Sequence, residues 1–313
     1  MAYGNFWLCP TMRFGLGLIS ERCGGVLKND YILSVVLGII EGLTEFLPVS
    51  STAHLRIAEG LFNINLADGY WKMYTIVIQL GAILALPVYF RERIMRLIST
   101  FPFGEEGDKT VLTNPLSLTL IAFVVTAIPA FLLSKVIGKN LESLVVIGAS
   151  LAIGGFVMGA VDWISAAPGR IKTWSMDEMT VTQAIWIGAC QILSAVFPGT
   201  SRSMSTIAGG QLARMSRTAA LEFSFFLSIP TMVVATSYDM LKSLLPGKAG
   251  SIAASSIDAH GWTVLAIGFL VSFVVAFVAV RWFMGWVDRR GLLHFAGYRI
   301  LLGIIVLIGA TTS

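Results

Sequence analysis

Six stretches of the chain run without a charge for much of a membrane's width: Met73–Phe90, Leu116–Ser134, Ser143–Val161, Phe223–Tyr238, Trp262–Val280 and Ile300–Ser313. About 20 apolar residues carry an α-helix across the ~30 Å hydrocarbon layer. The fourth and sixth stretches are shorter and need flanking residues to complete them. A bilayer offers no hydrogen bonds, so each stretch must satisfy its own backbone, as a helix does. A large soluble core is the other home for one such segment. Six of them in 313 residues, 56% hydrophobic and 13% charged, argue against it, because soluble domains carry about 25% charged residues. The fold class read from the sequence is an all-α polytopic membrane protein with six spanning helices. The net charge of +4 is too small a surplus to suggest a nucleic-acid partner. Cys9, Cys23 and Cys190 form no paired motif, which argues against a disulfide framework or a zinc site.

Two further apolar segments are interrupted. Tyr31–Pro48 holds Glu41 and Glu45 and runs into Val49, Ser50, Ser51 and Thr52. Val181–Phe197 holds Gln191 and runs into Pro198, Gly199, Thr200, Ser201, Arg202 and Ser203. Proline disfavours helix in the residue before it, and hydroxyl residues behind it favour a new N-cap. Each segment reads as a re-entrant helical hairpin that enters the membrane, breaks and returns. The segments also align, from Gly38 on Gly188 to Ser51 on Ser201, with Glu41 on Gln191 and Pro48 on Pro198. Three spans follow each, and an odd number of spans per half gives an inverted repeat. A single membrane domain over 31–313 then divides into repeat one, 31–164, and repeat two, 181–313. Residues 1–30 form an N-terminal extension to which no function is assigned.

Basic residues set the orientation. Arg91, Arg93, Arg96, Lys109, Arg170, Lys172, Arg214, Arg217, Arg289, Arg290 and Arg299 fall on one side, and Arg56, Lys72, Lys135, Lys139, Lys242 and Lys248 on the other. The larger group marks the cytoplasmic face, which leaves the first hairpin opening outward.

Glu41 and Glu45 sit one turn apart on one helix face, where like charges repel. An acid at membrane depth costs about 2.5–3.5 kcal/mol on insertion scales, so something must compensate. A divalent cation, Mg²⁺ or Ca²⁺, accepts carboxylate oxygens and would do so. A shared proton, or an arginine brought in from the other repeat, are the alternatives. Ser50, Ser51 and His54 follow the break. Helical spacing puts either hydroxyl within reach of the imidazole, the minimum for an activated nucleophile, and His54 could equally be a general acid. In the second hairpin Thr200, Ser201, Ser203 and Thr206 surround Arg202, whose planar fork suits phosphate, at a helix N-terminus that favours anions. A cation side facing an anion side points to phosphoryl chemistry on a pyrophosphate. Broken helices in inverted repeats are also a transporter device, so a transporter or flippase of a polyprenyl phosphate lipid is the alternative reading.

At these motifs the chain resembles the undecaprenyl-diphosphate phosphatase family of the bacitracin-resistance type. Residues 41–54 and 198–203 carry the resemblance, with support from Ile78–Gly81, Glu222–Phe225 and Tyr298-Arg299. The resemblance implies hydrolysis of undecaprenyl diphosphate to the monophosphate. That reaction recycles the lipid carrier for peptidoglycan and confers bacitracin resistance. It further implies a divalent cation, a bacterial inner-membrane location with the site facing out, and a chain that is often dimeric. By this resemblance the catalytic set is Glu41, Glu45, Ser51, His54 and Arg202, with the cation on Glu41 and Glu45. Ala53, Met204 and Ser205 depart from the family's usual small residues without removing a functional group.

Overall fold

The computed structural model describes residues 29–62, 64, 69–133, 143–244 and 257–312. The N-terminal extension therefore lies outside the described residues, except for Asn29 and Asp30. Among the described residues the α-helices are α1 (Asp30–Thr44), α2 (Ser51–Leu61), α3 (Gly69–Tyr89), α4 (Arg91–Ser99), α5 (Pro115–Leu132), α6 (Leu144–Ser165), α7 (Val181–Val196), α8 (Arg202–Leu212), α9 (Arg217–Leu244), α10 (Ala259–Arg290) and α11 (Leu293–Thr312). Six of them, α3, α5, α6, α9, α10 and α11, are long and apolar enough to cross a membrane. The flanking residues that the short fourth and sixth stretches needed are helical.

α1 has 15 residues and α7 has 16, about 22–24 Å at 1.5 Å per residue. Neither is long enough to cross the hydrocarbon layer. Each is followed by a turn and an 11-residue helix, α2 or α8.

The helix pairings recur in the two halves. α1 packs on α10 and α7 on α5; α3 packs on α10 and α9 on α5; α6 packs on α11. Small residues permit these crossings. A Cβ added to Gly38 would press on the Gly268 carbonyl of α10, and one added to Gly188 would press on the backbone of Ala122 in α5. Gly148 and Gly155 of α6 play the same part against Gly303 and Ala296 of α11. Apolar burial supplies no drive between helices in lipid, so close backbone approach and hydrogen bonds take over. Ser34 donates to the Val264 carbonyl at 2.7 Å, Ser272 to Ile78 at 2.8 Å and Thr126 to Gly188 at 2.8 Å. Such bonds contribute about 0.6 kcal/mol each. The outer faces stay apolar: α6 buries Ile147, Leu151 and Met158 and exposes Ile153, Phe156 and Val157.

One expectation changes here. Arg299 was counted among the loop charges between the fifth and sixth spans. α11 instead begins at Leu293 and places Arg299 in its second turn, fully buried. A guanidinium withdrawn into the protein carries no weight in the positive-side tally.

Asp162, at the end of α6, ties four segments together. It accepts from Arg217 Nε at 2.6 Å and Nη2 at 3.0 Å, from Gln211 Nε2 at 2.9 Å, and from the Leu292 amide at 3.0 Å. Asp162 is 1% exposed, whereas the Arg217 side chain keeps 30% access to solvent. Asp162→Ala should cost about 3 kcal/mol, the lower end for a buried pair with one partner removed, because Arg217 can turn to water. The midpoint of thermal unfolding in detergent reads this directly. A midpoint equal to that of the wild type would show that the cluster contributes nothing.

Candidate active site

α1 presents Glu41 and Glu45 on one face, fully buried and 8% exposed respectively. The helix ends at Thr44, and Glu45 is its C-cap, its amide donating to the Glu41 carbonyl at 2.9 Å. Pro48 lies in the turn that follows, with Phe46, Leu47 and Val49 packed inside.

Both return helices start from a strained cap. Ser50 caps α2 at φ 73° and Ser201 caps α8 at φ 70°. Their hydroxyls accept from the amides of Ala53 and Met204, each at 3.4 Å. Left-handed backbone at a serine costs about 1–3 kcal/mol and persists only where surrounding structure imposes it. The caps fall two residues after Pro48 but three after Pro198. The pairing of Ser50 with Thr200 read from the sequence is thus displaced by one residue. Gly199, at φ 96°, lengthens the second turn, where a Cβ would meet the Ile147 carbonyl.

With the caps matched, Ser51 and Arg202 become equivalent first residues of α2 and α8, and both hold Glu45. Ser51 Oγ donates to Glu45 Oε2 at 2.5 Å, and Arg202 Nη2 donates to Oε1 at 3.0 Å. An arginine from the other half, one of the compensations open for the acidic pair, is therefore in place on Glu45. Glu41 receives no hydrogen bond from that arginine. Its two oxygens are buried and lack a hydrogen-bond partner among the described residues, as do Arg202 Nε and Nη1. Two acceptors and two donors are left unmet at one site, where nearly all buried polar atoms normally have partners.

His54 differs from expectation. Its Nδ1 lies 2.7 Å from the Ser50 carbonyl, and its Nε2 lies 2.6 Å from the Tyr298 hydroxyl. The hydroxyl of Ser51 is turned instead to Glu45, the charged acceptor on the neighbouring helix. Ser201 and Ser203 share a hydrogen bond at 3.0 Å, and Ser203 donates to the Leu47 carbonyl of the first turn at 3.0 Å. Thr206 pairs with Ser224 of α9 at 2.6 Å. The hydroxyls of Ser203 and Thr206 thus bind protein, and Thr200 meets Arg299 through its backbone carbonyl. The structure brings Glu41, Glu45, Ser50, Ser51, Ser201 and Arg202 to the meeting point of the two turns, with His54 on the flank.

Sequence reasoning did not place Arg299 here. Its Nη1 donates to the Pro48 carbonyl at 3.0 Å, and its Nη2 to Gly199 at 3.0 Å and Thr200 at 2.8 Å. Tyr298 was named only within a motif. The available signal was an arginine beside an apolar run, which in isolation reads as a side chain snorkelling outward.

Carboxylate oxygens suit a hard cation, and the unpartnered pair on Glu41 fits one. Among the described residues no three His, Cys, Asp or Glu side chains gather into a metal cage.

Fold and site together define a polytopic α-helical membrane protein with an acid, a hydroxyl and an arginine converging from two helix breaks. Residues 34–305 match the family model described as bacitracin resistance protein BacA, and the chain belongs to that family. It is 63% identical over 284 residues to a protein of Koribacter versatilis named undecaprenyl-diphosphatase, covering 90% of this chain and 99% of the relative. Proteins of the same name from Caldanaerobacter subterraneus and Dechloromonas aromatica are 40% and 38% identical, covering 88% of this chain and 94% and 92% of the relatives.

Gly154 of α6 lies against the Arg299 guanidinium, where a Cβ would overlap Nη2. Gly154→Ala should destabilise by about 1–3 kcal/mol, as overpacking does, because Arg299 is held by four carbonyls and cannot yield. Thermal unfolding would measure it. A variant as stable as the wild type would mean that Arg299 moves freely.

Proposed function

We propose that this chain is an integral membrane hydrolase converting undecaprenyl diphosphate to undecaprenyl phosphate and inorganic phosphate. The reaction recycles the lipid carrier for peptidoglycan synthesis. It confers bacitracin resistance, because it removes the diphosphate that the antibiotic sequesters. The name shared by the relatives favours this reading over transport. The observation that carries it is the set of four unmet buried atoms around Glu45, two donors on Arg202 and two acceptors on Glu41. A phosphate with its counter-cation meets both needs.

The Ser51 hydroxyl already has a proton acceptor in Glu45 Oε2. In this reading its oxygen attacks the terminal phosphorus as its proton passes to Glu45. The bridging anhydride bond breaks, and the lipid monophosphate leaves. Water then cleaves the phosphoserine. Arg202 directs Nε and Nη1 to the phosphoryl oxygens, a use that needs the planar fork. Mg²⁺ or Ca²⁺ would be held by Glu41 with Glu45 and would offset phosphoryl charge. The two hairpins are re-entrant from opposite faces. In this reading the Ser51 side faces outward from the bacterial inner membrane, which the sign of the basic-residue bias favours.

Three variants test the reading on phosphate release from polyprenyl diphosphate in micelles, an assay that needs no second compartment. Ser51→Ala should lower kcat by more than the 10²–10⁴-fold typical of lost acid–base assistance, and no phosphoenzyme should be trappable. A loss of only a few-fold would make water the nucleophile.

Arg202→Lys should lose most activity while Arg214→Lys keeps it. Equal tolerance at both positions would remove Arg202 from the phosphate site.

Glu41→Gln should shift the divalent-cation titration to higher concentration. An unchanged titration would free the cation from Glu41.

A further inference from the structure

Helix α11 sends two adjacent side chains towards the site, and Arg299 accounts for one. The other is Tyr298. Its ring lies nearly parallel to that of His54, 11° apart with centroids at 5.7 Å, and its hydroxyl meets Nε2 at 2.6 Å. On the far side of the imidazole, Nδ1 faces the Ser50 carbonyl at 2.7 Å. A carbonyl only accepts, so Nδ1 carries the hydrogen. A neutral imidazole has one such hydrogen, so Nε2 accepts and Tyr298 donates. The direction of the chain is therefore set: Tyr298 O–H to Nε2, then Nδ1–H to the Ser50 carbonyl.

That carbonyl belongs to the residue held at φ 73°, and the next residue is Ser51, whose hydroxyl rests on Glu45 at 2.5 Å. In the second turn the matching carbonyl, that of Ser201, accepts from the Ser205 hydroxyl of its own helix at 3.1 Å. Consecutive residues of α11 thus act on the turns: Arg299 binds both through its fork, and Tyr298 meets the first through an imidazole. Without the Tyr298 donor, His54 can carry its hydrogen on Nε2. It would then point a lone pair at the Ser50 carbonyl, which would keep only the longer bond from the His54 amide at 3.3 Å, and loosen a strained turn.

We infer that Tyr298 is a positioning residue for the hydrolysis: by donating to His54 it fixes the tautomer that clamps the Ser50 turn and so aims the Ser51 hydroxyl at Glu45. This rests on the hydrolase reading, and it assigns His54 a part in holding the turn rather than in touching Ser51. Partners that fix the tautomer and orientation of a functional histidine are a general device.

Tyr298→Phe keeps the ring and its stacking and removes one oxygen. It should lower kcat about 10–100-fold, the range typical of a supporting partner, with KM nearly unchanged. In a His54→Ala background the same substitution should have no further effect, because Tyr298 acts only through the imidazole. Histidine ¹⁵N spectra, with the His54 signals assigned by their loss in His54→Ala, supply a readout independent of turnover. The wild type should show a protonated Nδ1 and an accepting Nε2, and Tyr298→Phe should bring in the other tautomer. Losses that multiply across the two backgrounds, a change in KM alone, or unchanged His54 nitrogen signals would each overturn the assignment. If the wild type releases no phosphate from polyprenyl diphosphate, the hydrolase reading fails, and the nitrogen spectra still decide whether Tyr298 sets the tautomer.

Discussion

Two short helices that each end in a turn leave backbone carbonyls buried inside the protein, and Arg299 donates to three of them. Its guanidinium binds Pro48 in the first turn and Gly199 and Thr200 in the second, and reaches Ser150 of α6 at 3.4 Å. A buried guanidinium is costly unless its hydrogens are used. Here four carbonyls engage Nη1 and Nη2, which offsets much of that cost, while Nε is buried without a partner among the described residues. Gly154 supplies the space, since any side chain there would displace the fork. Once both turns are bound to one rigid group, the starts of α2 and α8 have a defined separation. Everything in the site follows from that separation.

The two halves share their pattern of packing but not their chemistry. Glu41 and Glu45 in the first hairpin stand opposite Gln191 and Ala195 in the second. Gln191 is buried like Glu41, but it is neutral and donates to Thr231 at 3.2 Å. The second hairpin supplies a cation in Arg202 where the first supplies anions. One acidic and one basic hairpin produce a single site, with Glu45 shared between Ser51 and Arg202. The strain at Ser50 and Ser201 belongs to the same design. Left-handed caps turn each return helix so that its first residue faces the shared carboxylate.

Much of this was legible in the chain. The six charge-free stretches, the breaks at Pro48 and Pro198, and the acid pair at helical spacing each follow from local rules: helix period, proline geometry and the cost of charge in lipid. The family resemblance, not those local rules, joined Glu41, Glu45, Ser51, His54 and Arg202 into one candidate set. The local rules misplaced Arg299, because its distance from an apolar run is the same whether it snorkels outward or turns in. They also put His54 beside a hydroxyl, since helical spacing states which residues can meet and not which partner attracts more strongly.

The sequence by itself determined that the chain crosses a membrane several times, where its two helices break, and which residue types stand at the breaks, because these depend on near neighbours along the chain. Tertiary structure decided which partner each of those residues took. Arg202 lies on Glu45 across 157 positions, Arg299 on Pro48 across 251 and Tyr298 on His54 across 244. Each bond is made where two halves meet, and its strength depends on burial and on competing donors within a few ångströms. Those quantities do not exist until the helices have packed.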